Sequence, residues 1–185
     1  RNTALGFYAF STGTAYVNST ALGYNAYIGA SNTIRLGDAS VSSIGGDANW
    51  TNLSDGRFKT NVTENVSGLD FVMQLRPVTY NLDMDAIAKF NNTPDSLRLP
   101  ESEALKAAEL QSGFIAQEVE AAATAVGYDF HGVDKPKNET SHYGLRYAEF
   151  VVPMVKAMQE QQEMIEGQEA TITELKATAE SQQAK

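Results

Sequence analysis

The spacing of apolar positions changes twice along the chain. In the first 50 residues they fall in short alternating runs, each closed by a glycine. Asn2-Thr3-Ala4-Leu5-Gly6-Phe7-Tyr8-Ala9 returns seventeen residues later as Ser19-Thr20-Ala21-Leu22-Gly23-Tyr24-Asn25-Ala26, and a looser third copy stands at Asn32-Thr33-Ile34-Arg35-Leu36-Gly37. Alternation closed by glycine predicts a brief strand and a turn. A unit this small cannot bury its apolar residues alone, so it must stack on neighbouring copies or on other chains. A plain Gly/Ser linker would not keep an apolar residue and a glycine in register.

From about Trp50 to Tyr147 the pattern is mixed. Leu69, Val72, Met73 and Leu75 are spaced for a short helix, and Val78, Tyr80 and Leu82 alternate as a strand that starts at Pro77. Residues 83–112 are polar and hold Pro94 and Pro100, so they read as an insertion loop with one short helix over Glu101 to Gln111. Gly113-Phe114-Ile115-Ala116 is strand-like and leads into a helix over Gln117 to Val126, which Gly127 is placed to cap. Gly132 to Ser141 reads as loop and Tyr143 to Tyr147 as a short strand.

From about Ala148 to the end the period becomes helical. Heptads place Val151, Met158, Ile165, Ile172 and Ala179 at one core position, and Met154, Gln161, Gln168, Leu175 and Gln182 at the other. A register held over more than four heptads is a strong coiled-coil signal. Repeated glutamine weakens the seam and favours one register over maximum stability. Pro153 and Gly167 are defects, the proline being tolerable in the first turn. The heptads permit a trimer without excluding a dimer. A single helix packed on its own domain would bury only part of the stripe, which favours assembly between chains. The expected fold class is α+β, in three parts: a Gly-rich β-repeat stalk end at 1–48, a small mixed α/β domain at 49–147, and a coiled-coil helix at 148–185.

Composition narrows the function classes. The 185 residues carry 14 Lys+Arg against 23 Asp+Glu, a formal charge of −9, which argues against a nucleic-acid binder with a basic face. Cysteine is absent, excluding disulfides, thiolate metal sites and a Cys nucleophile. No apolar run reaches the ~20 residues that span a bilayer. The chain opens at Arg1 without a Met or a signal-like segment, so it is expected to be part of something longer.

Most chemistry-bearing patterns are missing. His131 and His142 have no zinc-site spacing, no cofactor motif or phosphate loop occurs, and Asp83 and Asp85 lack the ligands that would complete a calcium loop. No metal or cofactor is expected. No GxSxG elbow occurs. The Asn-x-Ser/Thr triplets at Asn49, Asn61 and Asn138 are what chance supplies in a chain this rich in those residues. One stretch remains, Leu53-Ser54-Asp55-Gly56-Arg57-Phe58-Lys59. A serine and a lysine five residues apart, joined through a glycine that permits a turn, could meet as nucleophile and base. The same residues also suit an ordinary turn, with Ser54 as a helix cap and Lys59 solvated.

Four segments, in order, change that balance. Ser54-Asp55-Gly56-Arg57-Phe58-Lys59-Thr60-Asn61-Val62 resembles the SD-x-R-x-K-x-x-I opening of the peptidase S74, or intramolecular chaperone, domain. Leu69 to Leu82, with Leu75-Arg76-Pro77-Val78-Thr79-Tyr80, is similar to its L-x-x-L-x-P-V-x-Y. Gly113-Phe114-Ile115-Ala116-Gln117-Glu118-Val119 is similar to its GFIAQE segment. Tyr143-Gly144-Leu145-Arg146-Tyr147 and the helix that follows resemble its closing Y-x-x-L region and coiled coil. The upstream repeats resemble the NTALGYNA units of phage and bacterial fibre stalks and adhesin heads.

The resemblance implies a domain found at the C-terminus of phage tailspikes and tail fibres. Such domains form homotrimers, template the folding of the fibre region upstream in the same chain, and release themselves as a single-turnover serine endopeptidase. Carried onto this chain, the scissile bond is Leu53–Ser54, with Ser54 as nucleophile and Lys59 as general base. Asp55 has an orienting or structural role, and Arg57, Gln117, Glu118 and Arg146 are possible supporting groups. Val151, Met154, Met158, Ile165, Ile172 and Leu175 form the trimer seam. The implied setting is a virion tail fibre or an extracellular fibre, with no nucleic acid and no membrane as partner. Lys59 accepts a proton only when neutral, a form that burial or a neighbouring cation such as Arg57 favours. Cutting is therefore expected to wait for assembly. The alternatives are a non-cleaving trimeric fibre tip or adhesin cap and, disfavoured by the fibre-like upstream repeats and the lack of a basic face, a DNA-linked regulator.

Overall fold

Short strands, each stopped by a glycine or a polar turn, and one long uninterrupted helix give a mixed α+β architecture. The computed structural model describes residues 1–10 and 16–183. In chain order the elements are β1 (Asn2–Leu5), β2 (Ser19–Leu22), β3 (Ile34–Leu36), α1 (Leu69–Val72), β4 (Val78–Tyr80), α2 (Met84–Phe90), α3 (Pro100–Ala108), β5 (Gln111–Gly113), α4 (Ala116–Ala125), β6 (Val133–Asp134), β7 (Gly144–Leu145) and α5 (Val151–Gln183). They belong to two compact units, one made of residues 1–60, 77–113 and 135–143, the other of 61–76, 114–134 and 144–185.

In the first unit the sequence repeat is the strand register. β1 and β2 pair in parallel with Asn2 facing Ser19, Thr3 facing Thr20, Ala4 facing Ala21 and Leu5 facing Leu22. β3 continues the sheet on β2, Thr20 facing Ile34 and Leu22 facing Leu36, so the third copy joins after a shorter step. The glycines close each rung. Gly23 N–H donates to the Leu5 carbonyl and Gly37 N–H to that of Leu22, both at 2.7 Å. Gly6 and Gly23 have φ of 134° and 104°, and a Cβ on Gly6 would stand 2.3 Å from the Gly23 carbonyl oxygen. Only glycine satisfies both the dihedral and the close approach. Asparagines mark the other end of the rungs: Asn18 and Asn32 take left-handed φ of 55° and 59°, and Asn18 Nδ2 donates to Asn32 Oδ1 at 2.8 Å. Ala21, Ala26 and Ile28 form the buried centre, covered by Ala9, Phe10 and Tyr16, while all of β1 is exposed.

The same unit holds an antiparallel pair, β4 with β5, in which Val78 faces Gly113. The polar region after it is richer than one loop and one helix. α2 forms at Met84–Phe90, capped by Asp83, whose carboxylate accepts from Ala86 N–H at 2.9 Å. α3 starts with Pro100 in its first turn and stops at Ala108, three residues short of the expected end. The reason is pairing: Gln111 to Gly113 are taken by β4 as a strand.

The second unit is built on aromatic rings. Phe71 of α1 meets Phe130 at a centroid distance of 4.9 Å and Tyr128 at 5.4 Å, edge-on; Phe130 meets Phe150 at 4.8 Å, and Phe114 stacks on Phe150 at 5.3 Å. α4 contributes the buried Val119 and ends at Gly127, with φ of 66°. β6 forms in a stretch that reads as loop from its composition and pairs with β7, which lies where a short strand is expected. α5 enters through a 3-10 turn at Tyr147–Phe150 and has two faces. Pro153, in the first turn, and Ala157 are buried against α1, and Glu160 Oε2 accepts from Leu69 N–H at 2.7 Å. The heptad residues point elsewhere: Val151, Met154, Met158, Ile165, Ile172 and Leu175 are all between 45% and 67% exposed. The helix thus packs on its own unit with a few residues at its N-terminal end and leaves the apolar stripe bare.

Candidate functional site

Residues 46–62 cross the first unit's end as exposed, almost featureless chain, with Trp50, Leu53, Phe58 and Val62 all turned to solvent. One local structure interrupts it. Asp55 caps a 3-10 turn at Gly56–Phe58: its carboxylate accepts from Arg57 N–H at 2.9 Å and from the Arg57 guanidinium at 3.1, 3.0 and 2.6 Å. Aspartate commonly closes turns in this way through its own side chain. Gly56 adds no side chain to the crown, and nothing lies within 4 Å of where its Cβ would be.

The turn brings its two flanks together. Lys59 Nζ donates to Ser54 Oγ at 2.9 Å, and both side chains are exposed. The Arg57 guanidinium also lies 5.7 Å from the centre of the Phe58 ring. The ion pair is electrostatically self-contained: the Arg57 side chain holds the Asp55 carboxyl below the usual carboxylate range, and Asp55 in turn raises Arg57. The Arg57 charge is therefore met by Asp55.

The other sequence-selected groups lie in the second unit. Glu118, in the first turn of α4, is gripped by Arg76, with Nε at 3.0 Å and NH2 at 2.5 Å from its two oxygens. Gln117 beside it is exposed. Arg146 donates to the His131 carbonyl at 2.7 Å and to Asp134 at 2.6 Å. Tyr147, expected only as the end of a short strand, accepts the Phe114 N–H with its hydroxyl at 3.2 Å; a strand pattern gives no sign of such a contact beforehand. Ser54, Asp55, Arg57 and Lys59 therefore form one local cluster, while Glu118 and Arg146 have other partners within the second unit and Gln117 stands exposed on α4.

Among the described residues no three His, Cys, Asp or Glu side chains gather as a metal site, and no helix is long and apolar enough to cross a membrane. A serine hydroxyl held by an amine, next to the bond that precedes it, has the elements of a nucleophile and base acting on its own chain.

Comparison with known proteins gives one family. The model of Peptidase_S74, described as chaperone of endosialidase, matches residues 54–128, from the serine of the Ser54–Lys59 contact through α4 to Tyr128. No curated protein and no solved structure matches the chain. Residues 54–128, less than half of the chain, thus match the Peptidase_S74 model, chaperone of endosialidase, with the Ser54–Lys59 turn at the first matched residues.

Proposed function

We propose that this chain is an intramolecular chaperone that trimerises through α5, templates the folding of the glycine-rich repeats upstream, and then frees itself by cutting Leu53–Ser54. The observation that carries the reading is the 2.9 Å contact between Lys59 Nζ and Ser54 Oγ at the start of the family segment. The client is the repeat segment 1–48, the domain 49–147 holds the chemistry, and the helix 148–185 sets the register of three chains.

In the proposed reaction neutral Lys59 takes the Ser54 hydroxyl proton as Oγ attacks the Leu53 carbonyl carbon. The tetrahedral adduct collapses with the Leu53–Ser54 C–N bond broken and the proton passed to the departing nitrogen. The result is an ester between the Leu53 acyl group and Ser54 Oγ, with a free Ser54 amine. Water then hydrolyses the ester, giving a Leu53 carboxylate and restoring the hydroxyl. No substrate has to be bound, because the bond is covalently within reach. The Asp55–Arg57 pair orients the two flanks of the turn.

Two features support a dependence on assembly. Ser54 and Lys59 are exposed in the single chain, and Trp50, Leu53, Phe58 and Val62 around them lack cover. Packing between copies would bury the amine and favour its neutral form. Templating has its own logic, since parallel pairing of short repeats over long loops is entropically slow and a prior register speeds it. The expected setting is the tail fibre of a phage virion or another extracellular fibre.

The same exposure supports the second reading, a non-cleaving fibre tip or adhesin cap. A denaturing gel of the full chain decides between them. Fragments 1–53 and 54–185 support cutting, and Ser54→Ala should leave the chain whole. An intact wild-type band in assembled trimers overturns the protease reading and leaves the chaperone role standing.

A further inference from the structure

Residues from both sides of the Leu53–Ser54 bond belong to the same packed unit. The first unit contains residues from before it, in 1–53, and from well after it, in 77–113 and 135–143. The contacts across that sequence gap are specific and mostly to backbone. Asn138 Nδ2 donates to the Gly29 carbonyl at 3.0 Å, and Thr140 Oγ1 lies 3.2 Å from the same oxygen. The Tyr27 hydroxyl donates to the Thr140 carbonyl at 3.0 Å, and the hydroxyls of Tyr16 and Thr140 meet at 2.6 Å. Gly29 makes this approach possible, because a Cβ there would stand 2.4 Å from the Thr140 carbonyl oxygen. At a second point the Tyr24 hydroxyl donates to the Leu97 carbonyl at 2.7 Å.

The loop that makes the first set of contacts is braced by hydrogen bonds of its own. Lys137 and Asn138 N–H both donate to Ser141 Oγ, at 2.7 and 3.0 Å, and Thr140 N–H donates to Asn138 Oδ1 at 2.9 Å. A preorganised loop loses little entropy when its partner docks. A groove with apolar walls runs between the same two sets of residues, with Leu36 and Ile44 from before the bond and Ile87 and Phe90 from after it.

We propose that the loop 138–141, together with the Leu97 carbonyl, is the surface by which the chaperone grips its client. The client is recognised through the carbonyl of Gly29 and the hydroxyls of Tyr16, Tyr24 and Tyr27. Because these contacts do not depend on the Leu53–Ser54 bond, the cut chain persists as a nicked complex of 1–53 with 54–185. Release is a separate step that requires the grip to loosen. The inference rests on the proposed reading of the upstream repeats as client and of Leu53–Ser54 as the bond cut.

The test separates the grip from the chemistry by nicking the chain from outside. A recognition sequence for an added site-specific protease is placed between Gly46 and Asp47, in the full chain carrying Ser54→Ala. After nicking, size exclusion in native buffer is compared with a denaturing gel. The expected result is two bands on the gel and one co-eluting species in native buffer. Tyr24→Phe and Tyr27→Phe remove single hydroxyls with little change of shape, and together they should shorten the lifetime of the nicked complex at least tenfold. Asn138→Ala with Thr140→Val should shorten it further. Pieces that part at once in native buffer, or a lifetime unchanged in every variant, would overturn the grip. If the wild-type chain never cuts itself, the proposed cleavage fails while the outside nick still reports on the grip.

Discussion

The repeat sheet and the long helix both show apolar side chains to solvent, but for opposite reasons. β2 sits in the middle of a sheet whose register is fixed within the chain. Its Ser19 and Ala21 are buried, and its partners on both sides are set by glycine and asparagine rungs. What remains bare there is the outer strands, with Leu5 of β1 and Ile34 of β3 turned to solvent. α5 has no such internal ruler beyond its first three turns, and its stripe lies bare over four heptads. A sheet of short repeats carries the instructions for the next copy but little to start with. A helix with an apolar stripe starts readily and carries few instructions for what comes before it. The division suits the proposed pairing of chaperone and client in one chain.

The sharpest way to break this division is to remove the chemistry and leave both elements standing. Ser54→Ala should abolish fragment 54–185 on a denaturing gel, and Lys59→Ala should slow its appearance by about 10²–10⁴-fold, the range of general-base catalysis, with the trimer mass unchanged by light scattering in both variants. A Lys59→Ala chain that cuts at the wild-type rate removes lysine from the site.

The next test strikes the helix. Ile165→Asp with Ile172→Asp places carboxylates on the bare stripe without touching Pro153, Ala157 or Glu160. The expected outcome is a folded monomer with unchanged far-ultraviolet circular dichroism and no self-cleavage. Trimers that persist would show that the stripe is not the seam.

A smaller effect is expected from the sheet. Gly23→Ala forces a side chain onto a φ of 104° and brings its Cβ to 3.2 Å from Gly37. The cost should be about 2 kcal/mol, within the range for a residue held in a strained conformation, read as a fall in the melting temperature of the repeat segment. Glu160→Ala should cost somewhat less, about 1–2 kcal/mol, for the lost bond to Leu69 N–H from a carboxylate that is about two-thirds buried.

The smallest effect concerns pH at the turn. Asp55 is held below its ordinary range by Arg57, so the folded turn is stabilised when the carboxylate is charged. That contribution is fully present above the ordinary carboxylate pKa and is lost as pH falls through the lowered one. Carbon-13 titration of the Asp55 carboxyl should show a midpoint below that of an unstructured peptide, and Arg57→Gln should move it toward the ordinary value, with the N–H of residue 57 still donating to the carboxylate. An unchanged midpoint in Arg57→Gln would remove the ion pair from the account of the turn.

Legibility in the sequence followed how local each cause was. The strand register was readable because glycine and asparagine recur where the backbone needs a left-handed turn or a close approach, and the sheet pairs Asn2 with Ser19 as the repeat spacing implies. Gly127 was readable as a helix end for the same reason. α2 was missed because seven residues in a polar stretch carry too short a pattern, although Asp83 was in place as its cap. β5 is Gln-Ser-Gly, which has no strand character of its own and becomes a strand only through β4. The turn at Ser54–Lys59 offered a spacing but not the Asp55–Arg57 pair that shapes it. The loop 138–141 looked like ordinary polar chain, since its contacts are to carbonyls, which no sequence pattern displays.

The separation of faces on α5 has a kinetic consequence. Pro153, Ala157 and Glu160 complete the second unit without using any residue of the bare stripe. The unit can mature by a first-order process at any protein concentration, and in the proposed assembly chains meet in a later step whose rate rises with concentration. Dilution should therefore delay the oligomer without delaying the fold, and folded single chains should accumulate as a pool waiting for partners.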